Sequence, residues 1–164
     1  MPELELAEHD PSWSQRFQAE AALINDALGE CVREIEHVGS TAVPDLAAKP
    51  TVDIAVGVDT IELPPDRMER MLDAGFAYQR DDDRPWERRF VKGDEIPRDV
   101  IVHVVEWQGP KWQEYLRFRD ALLADSALAS SAAVEKSAAP VRASYRPSSR
   151  SGATSVLSIR EMIG

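Results

Sequence analysis

The sequence predicts an α/β or α+β domain in which helices pack on a mixed β-sheet. An amphipathic helix opens the chain, two apolar runs of strand length follow at 51–58 and 100–107, and helical and strand patterns alternate between them. The order α-β-β-α-β-β-β-α-α favours a mixed sheet over an all-helical or all-β domain. A length of 164 residues with 43% hydrophobic residues fits one domain with its own core, which we assign to residues 1–164.

The first element is an amphipathic helix predicted over residues 12–28. Apolar side chains recur there at helical spacing: Trp13, Phe17, Ala21, Ile24 and Leu28. Residues 10–12 (Asp-Pro-Ser) suit a helix start, and Gly29 suits its end.

Two strands and a glycine turn come next. Residues 32–38 alternate apolar and polar side chains, which predicts a half-buried strand. Gly39 ends that strand, and residues 42–50 contain two prolines, so we expect a loop or a short helical turn there. Residues 51–58 are almost entirely apolar, which predicts a central strand.

The second half of the domain repeats this alternation. A helix is predicted from Pro64 to about Ala74, before Gly75. The predicted elements after it are strands at 76–78, 87–92 and 100–107, and a third helix at 111–124. Ala and Ser make up more than half of residues 125–155, so we predict an Ala/Ser-rich helical tail over 125–164, with short helices near 128–138 and 154–163.

Charge and composition exclude several classes of protein. The net charge is −10, and an acidic surface repels phosphate backbones, so we expect no general nucleic-acid binding. No apolar run is long enough to span a bilayer, and the acidic N-terminus does not resemble a signal peptide. With a single cysteine, the sequence suggests a cytoplasmic protein without membrane partners.

The segment 36–56 carries the strongest functional pattern. Gly39 lets the backbone approach a ligand closely, and Ser40 and Thr41 add hydroxyl groups, so this turn could cradle phosphate oxygens. Asp53 on the next strand could bind Mg²⁺, and Lys49 could add a positive charge. The alternative is a tight turn in which Ser40 is a cap and Asp53 bonds to a backbone N–H. The pattern is not a P-loop, because no second glycine is followed by Lys and Ser or Thr.

The same segment resembles the signature of the GrpB family, also called UPF0157. The matching residues are Glu36-His37-Val38-Gly39-Ser40-Thr41-Ala42-Val43-Pro44, Leu46-Ala47-Ala48-Lys49-Pro50 and Val52-Asp53-Ile54. Further matches are Asp10 to Trp13 with Phe17, Arg89 to Lys92, His103, and Trp112 with residues 116–120. The resemblance covers roughly residues 8–124, which we take as the core of the domain.

The resemblance implies a nucleotidyltransferase-like fold, a mixed sheet flanked by helices. In that superfamily a Gly-Ser turn precedes a strand with two acids one residue apart, and the acids hold metal ions that align a nucleoside triphosphate. Asp53 fits the first acid, but Ala55 stands at the second, and Ile101 replaces a histidine common in the family. His103 lies where a third metal-binding group is expected.

Two functions follow from these matches, and they belong to different classes. The first is a metal-assisted transferase acting on a nucleoside triphosphate and a small acceptor, with Asp53 binding Mg²⁺ and His103 as base or further ligand. The alternative is a non-catalytic module for a nucleotide or phosphate ligand that has lost the second carboxylate. Hydrolysis of a small phosphorylated metabolite is a third possibility.

Two more residues complete the candidate site. Arg89 is a candidate for substrate phosphate, with a surface salt bridge as the alternative. His37 precedes the glycine turn and could face the pocket, or it could be a structural histidine. The expected partner is a small-molecule nucleotide or another phosphorylated ligand.

Overall fold

The computed structural model describes residues 6–94, 96 and 98–131, with side chains up to 125. Its helices and strands are α1 (Ser12–Leu28), β1 (Val32–Val38), β2 (Val52–Val58), α2 (Pro65–Asp73), β3 (Ala77–Gln79), β4 (Glu87–Lys92), β5 (Val100–Glu106) and α3 (Pro110–Ser131). The strands form one five-stranded sheet in the order β1-β2-β5-β4-β3. The predicted mixed sheet with flanking helices is therefore confirmed.

Strand directions make the sheet mixed. The central strands β2 and β5 run parallel, while β1 pairs antiparallel with β2 and β4 pairs antiparallel with both β5 and β3. The parallel pair is the most apolar part of the sheet, as expected for strands covered on both faces.

Helix α1 forms where the apolar spacing predicts it. The Ser12 backbone N–H donates to the Asp10 carboxylate at 2.9 Å, which satisfies one of the free donors of the first turn. At the other end Gly29 takes φ +53°, a left-handed value that glycine adopts without strain.

The sheet is covered on both faces. On one face α1 and α2 bury a continuous apolar core, whose fully buried members include Phe17, Ile24, Leu28, Ile54, Val56, Val58, Phe90, Val102 and Val104. On the other face α3 packs over a smaller apolar cluster of Val38, Ala55, Val105 and Trp112. A Cβ on Gly57 would lie 2.8 Å from Trp107, so a glycine here lets the aromatic side chains approach the strand.

Two sequence predictions need correction. Strand β1 is buried on both faces instead of half-buried, because Trp107 lies over Glu34 and α3 lies over Glu36. Helix α3 continues to Ser131 instead of ending at 124, because no proline interrupts its Ala- and Leu-rich second half. The predicted short helix at 128–138 therefore begins inside α3, and its remainder lies, like the one at 154–163, outside the described residues. Within the part of the chain that the structure describes, no helix is long and apolar enough to cross a bilayer.

Candidate ligand-binding site

The sheet face under α3 brings several candidate residues together. Asp53 and Ala55 lie on this face of β2, His103 lies on β5, and Arg89 lies on β4. His103 is the Cα partner of Ala55 on one side and of Arg89 on the other. The parallel and antiparallel registers therefore place the predicted acid, histidine and arginine on three neighbouring strands.

His103 lies between two carboxylates. Its Nε2 is 3.0 Å from Asp53 Oδ1, and its Nδ1 is 3.2 Å from Glu87 Oε2. The imidazole is nearly enclosed, with 8% of its side chain exposed, whereas Asp53 keeps 27% exposed. Asp53 is therefore the member of this chain of contacts that a ligand can reach.

Glu87 is the buried end of the network, with 1% of its side chain exposed. The Tyr115 hydroxyl donates to its Oε1 at 2.6 Å, and Arg89 Nε donates to its Oε2 at 3.0 Å. Arg84 lies at the rim, 4.0 Å from the same Oε2. Tyr115 reaches the site because it is on the inward stripe of α3, and its oxygen is also 3.1 Å from His103 Nδ1.

These contacts shift the pKa values of His103, Glu87 and Tyr115. Burial by itself lowers the pKa of His103, but hydrogen bonds to Asp53 and Glu87 outweigh it and raise the pKa above 6.5. Burial alone would raise the pKa of Glu87, yet the bonds from His103 and Tyr115 lower it to about 2. Burial raises the pKa of the Tyr115 phenol, and the neighbouring Glu87 raises it further. The contacts therefore favour the protonated form of His103, the ionised form of Glu87 and the neutral form of the Tyr115 phenol.

The glycine turn lies directly against Asp53. Gly39 takes φ +77°, and a Cβ there would lie 2.7 Å from Asp53 Oδ2, so no larger residue fits without a shift of the carboxylate. Ser40 follows in a half-buried position. Thr41 is buried, and its hydroxyl donates to the Thr51 carbonyl at 3.1 Å instead of facing solvent.

His37 lies on the opposite face of the sheet, away from Asp53. Its ring stacks on Phe17 at a centroid distance of 5.0 Å, and its Nε2 is 3.0 Å from Thr41 Oγ1. Since that hydroxyl gives its proton to Thr51, the imidazole Nε2–H donates to it. Burial, with a smaller contribution from the charge of the nearby Arg119, lowers the pKa of His37 to about 3. Of its two sequence interpretations, this placement fits the structural histidine.

Lys49 also stands apart from the network. It is exposed on the loop before β2, and no ion pair or hydrogen bond joins its side chain to the described residues. The carboxylate that contacts Nδ1 of His103 belongs to Glu87 on β4. Asp99 and Glu106, the acids at the ends of β5, do not contact His103.

The donor set does not fit a resident metal centre. No group of three His, Cys, Asp or Glu side chains within the described residues is arranged to hold an ion. Asp53 has no second acid beside it, because Ala55 occupies that position. Both nitrogens of His103 are already bonded to carboxylates. The Mg²⁺ prediction therefore has one carboxylate to rely on here, where metal sites of this kind use two or three.

Sequence reasoning missed Glu87 and Tyr115. Glu87 precedes Arg89 by two residues on the same strand, and that spacing puts both on one face. Tyr115 follows Trp112 on the inward stripe of α3. Each position was visible as a pattern, but only the strand order shows that the two side chains meet at His103.

Fold and site together define an α+β protein with a mixed five-stranded sheet and a buried Asp–His–Glu–Tyr network beneath one helix. The family model for the GrpB protein matches residues 3–146. The chain belongs to the GrpB family, as its Gly-Ser segment indicates.

Individual relatives agree with this assignment. The glutamate-rich protein GrpB of Alkalihalophilus pseudofirmus is 34% identical over 127 residues, covering 75% of this chain and 73% of that protein. A UPF0157 protein of Streptomyces coelicolor is 41% identical over 124 residues, covering 76% of this chain and 63% of its own length. The crystal structure of the conserved protein GrpB from Enterococcus faecalis matches with a TM-score of 0.69 and 31% identity, over 77% of each chain.

Proposed function

We propose that this chain binds a small phosphate-bearing ligand of the nucleotide class on the α3 face, without a resident metal ion. The observation that carries this proposal is the position of His103 between Asp53 and Glu87. The proposal takes up the second of the two functions that the sequence suggests, a binding module that has lost one carboxylate.

The charges around His103 support an anionic ligand. The imidazolium offsets one of the two carboxylates, and Arg89 offsets the other. Arg89 uses Nε for Glu87, which leaves the remaining N–H groups of its guanidinium to donate elsewhere, and 18% of its side chain is exposed. Arg84 at the rim is 3.7 Å from Asp81, so these two charges offset each other. The site is thus close to neutral in a protein of net charge −10, and a guanidinium suits phosphate oxygens.

The nucleotide class comes from the turn that precedes Asp53. Its Gly-Ser sequence and the interval to Asp53 resemble those of nucleotidyltransferases, which bind a nucleotide beside this turn. The contact between Gly39 and Asp53 keeps the turn and the carboxylate side by side, as that arrangement requires.

The same contact favours a second candidate, metal-assisted nucleotidyl transfer. An Mg²⁺ ion that arrives with a nucleoside triphosphate needs only one or two protein carboxylates, and Asp53 is exposed enough to supply one. This is the weaker candidate, because Ala55 stands where the second acid would be and both nitrogens of His103 are already hydrogen-bonded to carboxylates.

Thermal unfolding with AMP, ADP and ATP, each in EDTA or with Mg²⁺, tests the proposal. A ligand at 100 times its Kd stabilises a protein by about 2.7 kcal/mol, which raises the midpoint by roughly 5 to 10 °C at this size. We expect a rise in EDTA that Arg89→Met abolishes. Arg88→Met is the matched control, because Arg88 is the neighbouring arginine on the other face and pairs with Glu62.

Three other outcomes are informative. A rise that needs Mg²⁺ would favour the transferase instead. If the rise of the unfolding midpoint is lost equally in both arginine variants, Arg89 is not part of the binding site. No rise with any nucleotide would overturn the proposal.

A further inference from the structure

Asp53 presents two unequal carboxylate oxygens. Oδ1 accepts the Nε2–H of His103 at 3.0 Å, whereas Oδ2 is the oxygen nearest Gly39. An ionised carboxylate only accepts hydrogen bonds, so it repels a phosphate group and attracts a hydroxyl or an N–H. The phosphate of the ligand is therefore expected at Arg89, and a different part of the ligand at Asp53.

Glu87 and Tyr115, on the other side of the His103 ring, hold the ring in position against Asp53. Glu87 accepts from Nδ1, and Tyr115 holds Glu87 through a 2.6 Å bond. Since each ring nitrogen faces a carboxylate oxygen, the geometry favours a hydrogen on both nitrogens. The titratable and charged groups that contact the ring or its partners are Asp53 from β2, Glu87 and Arg89 from β4, Arg84 from the loop before β4, and Tyr115 from α3.

We infer that the ligand carries a free hydroxyl that donates to Asp53 while its phosphate binds Arg89, and that Glu87 and Tyr115 are positioning residues that fix Asp53 through His103. This inference rests on the proposed function and narrows the ligand to a phosphorylated compound with a sugar or polyol hydroxyl. Asp53 and Arg89 lie on strands two positions apart in the sheet, with about 10 Å between the two backbones. Two separate contact points of this kind suit two different groups of one ligand, such as the phosphate and the ribose hydroxyls of a nucleoside monophosphate.

The test compares AMP with 2′,3′-dideoxy-AMP, which has the same base and phosphate but lacks both ribose hydroxyls. We expect the wild-type protein to bind AMP more tightly by on the order of tenfold, the value of one hydrogen bond to a charged group. Asp53→Asn should lose most of this preference, while Asp59→Asn, an exposed aspartate paired with Arg33, should keep it.

Positioning by Glu87 and Tyr115 has its own readout. Tyr115→Phe and Glu87→Gln should lower the preference for AMP over the dideoxy compound, whereas a purely structural loss would weaken both ligands equally. Nitrogen-15 NMR of the histidines should show both His103 nitrogens protonated at pH 7 in the wild type, and a neutral fraction in Glu87→Gln. Tyr115→Phe provides the test if Glu87→Gln does not fold.

The outcomes separate the two proposals. Equal binding of both ligands by the wild type overturns the hydroxyl contact and leaves phosphate binding intact. Binding of neither contradicts the proposed function and this inference with it. A neutral His103 in the wild type overturns the positioning role, whatever the ligands do.

Discussion

The two faces of the sheet hold their buried histidines in opposite ways. Under α1 and α2 the core is largely apolar, with one charge pair between Lys92 and Glu20 at 2.7 Å, and its histidine, His37, is kept neutral beside Phe17. Under α3 the sheet buries charges in pairs: His103 with Asp53 and Glu87, and Arg119 with Glu36 at 2.8 Å. The same side chain, imidazole, thus has a lowered pKa on one face and a raised pKa on the other.

This difference separates stability from function. When a side chain in an apolar core is truncated, the free energy of unfolding falls with the amount of buried surface that is lost. A small truncation therefore lowers it only a little. A face built from charge pairs loses much more when one partner is removed, because the other charge is already out of water. The charge pairs make the α3 face more sensitive to substitution, but they also hold the charged groups of the site in fixed positions.

The largest effect is expected at Arg119, which is completely buried on α3. It donates to Glu36 at 2.8 Å and to the His37 carbonyl at 3.1 Å, just before the glycine turn. Arg119→Met removes the guanidinium from a buried carboxylate, and we expect the free energy of unfolding in urea to fall by roughly 3 to 5 kcal/mol.

A double variant identifies the cause of that loss. Glu36→Gln combined with Arg119→Met should recover more than half of it, since the carboxylate that the single variant leaves unpaired is then also gone. A loss below about 1 kcal/mol in the single variant would contradict the role of the pair.

The second effect concerns pH and the apolar face. The folded-state pKa of His37, about 3, lies below the ordinary 6.5, so the unfolded chain takes up a proton that the folded protein refuses. Stability from this residue is complete above pH 6.5 and is lost as the pH falls towards 3, by about 1.4 kcal/mol per pH unit. Between pH 7 and pH 5 we expect the wild type to lose about 2 kcal/mol more than His37→Phe, measured by urea unfolding at each pH. Equal losses would show that His37 titrates normally.

The smallest effect is expected at Ile54, a fully buried member of the apolar core. Ile54→Val removes one methylene group and should cost about 0.5 to 1.5 kcal/mol in the same urea experiment. If Ile54→Val lowered the free energy of unfolding as much as Arg119→Met, the two faces would not differ in their sensitivity to substitution.

Local patterns were enough to predict most of the fold. The helix 12–28 and the strands 32–38 and 87–92 match the structure residue for residue, because apolar spacing, proline and glycine act within a few neighbours. The burial of β1 was misjudged because alternation describes one strand, whereas Glu34 and Glu36 are covered by Trp107 and by Arg119 of α3, some 70 to 80 residues later.

The candidate site was predicted only in part, for the same reason. Asp53, Arg89 and His103 stand in recognisable segments, and the structure brings them together. Glu87 joins them through an antiparallel register between β4 and β5 that no local pattern specifies. His37 was misleading because adjacent strand residues point to opposite faces, and Val38, not His37, shares the face of Asp53.

The parallel pairing of β2 with β5 also has a consequence for how the chain folds. Strand β2 ends at Val58 and β5 begins at Val100, so α2, β3 and β4 all lie between them in sequence. The β3–β4 hairpin closes only a short loop. Pairing β2 with β5 closes a much longer loop, which costs more conformational entropy. Because Asp53 and His103 lie on these two strands, their contact is expected to form late, after the local hairpins and helices have reduced the search.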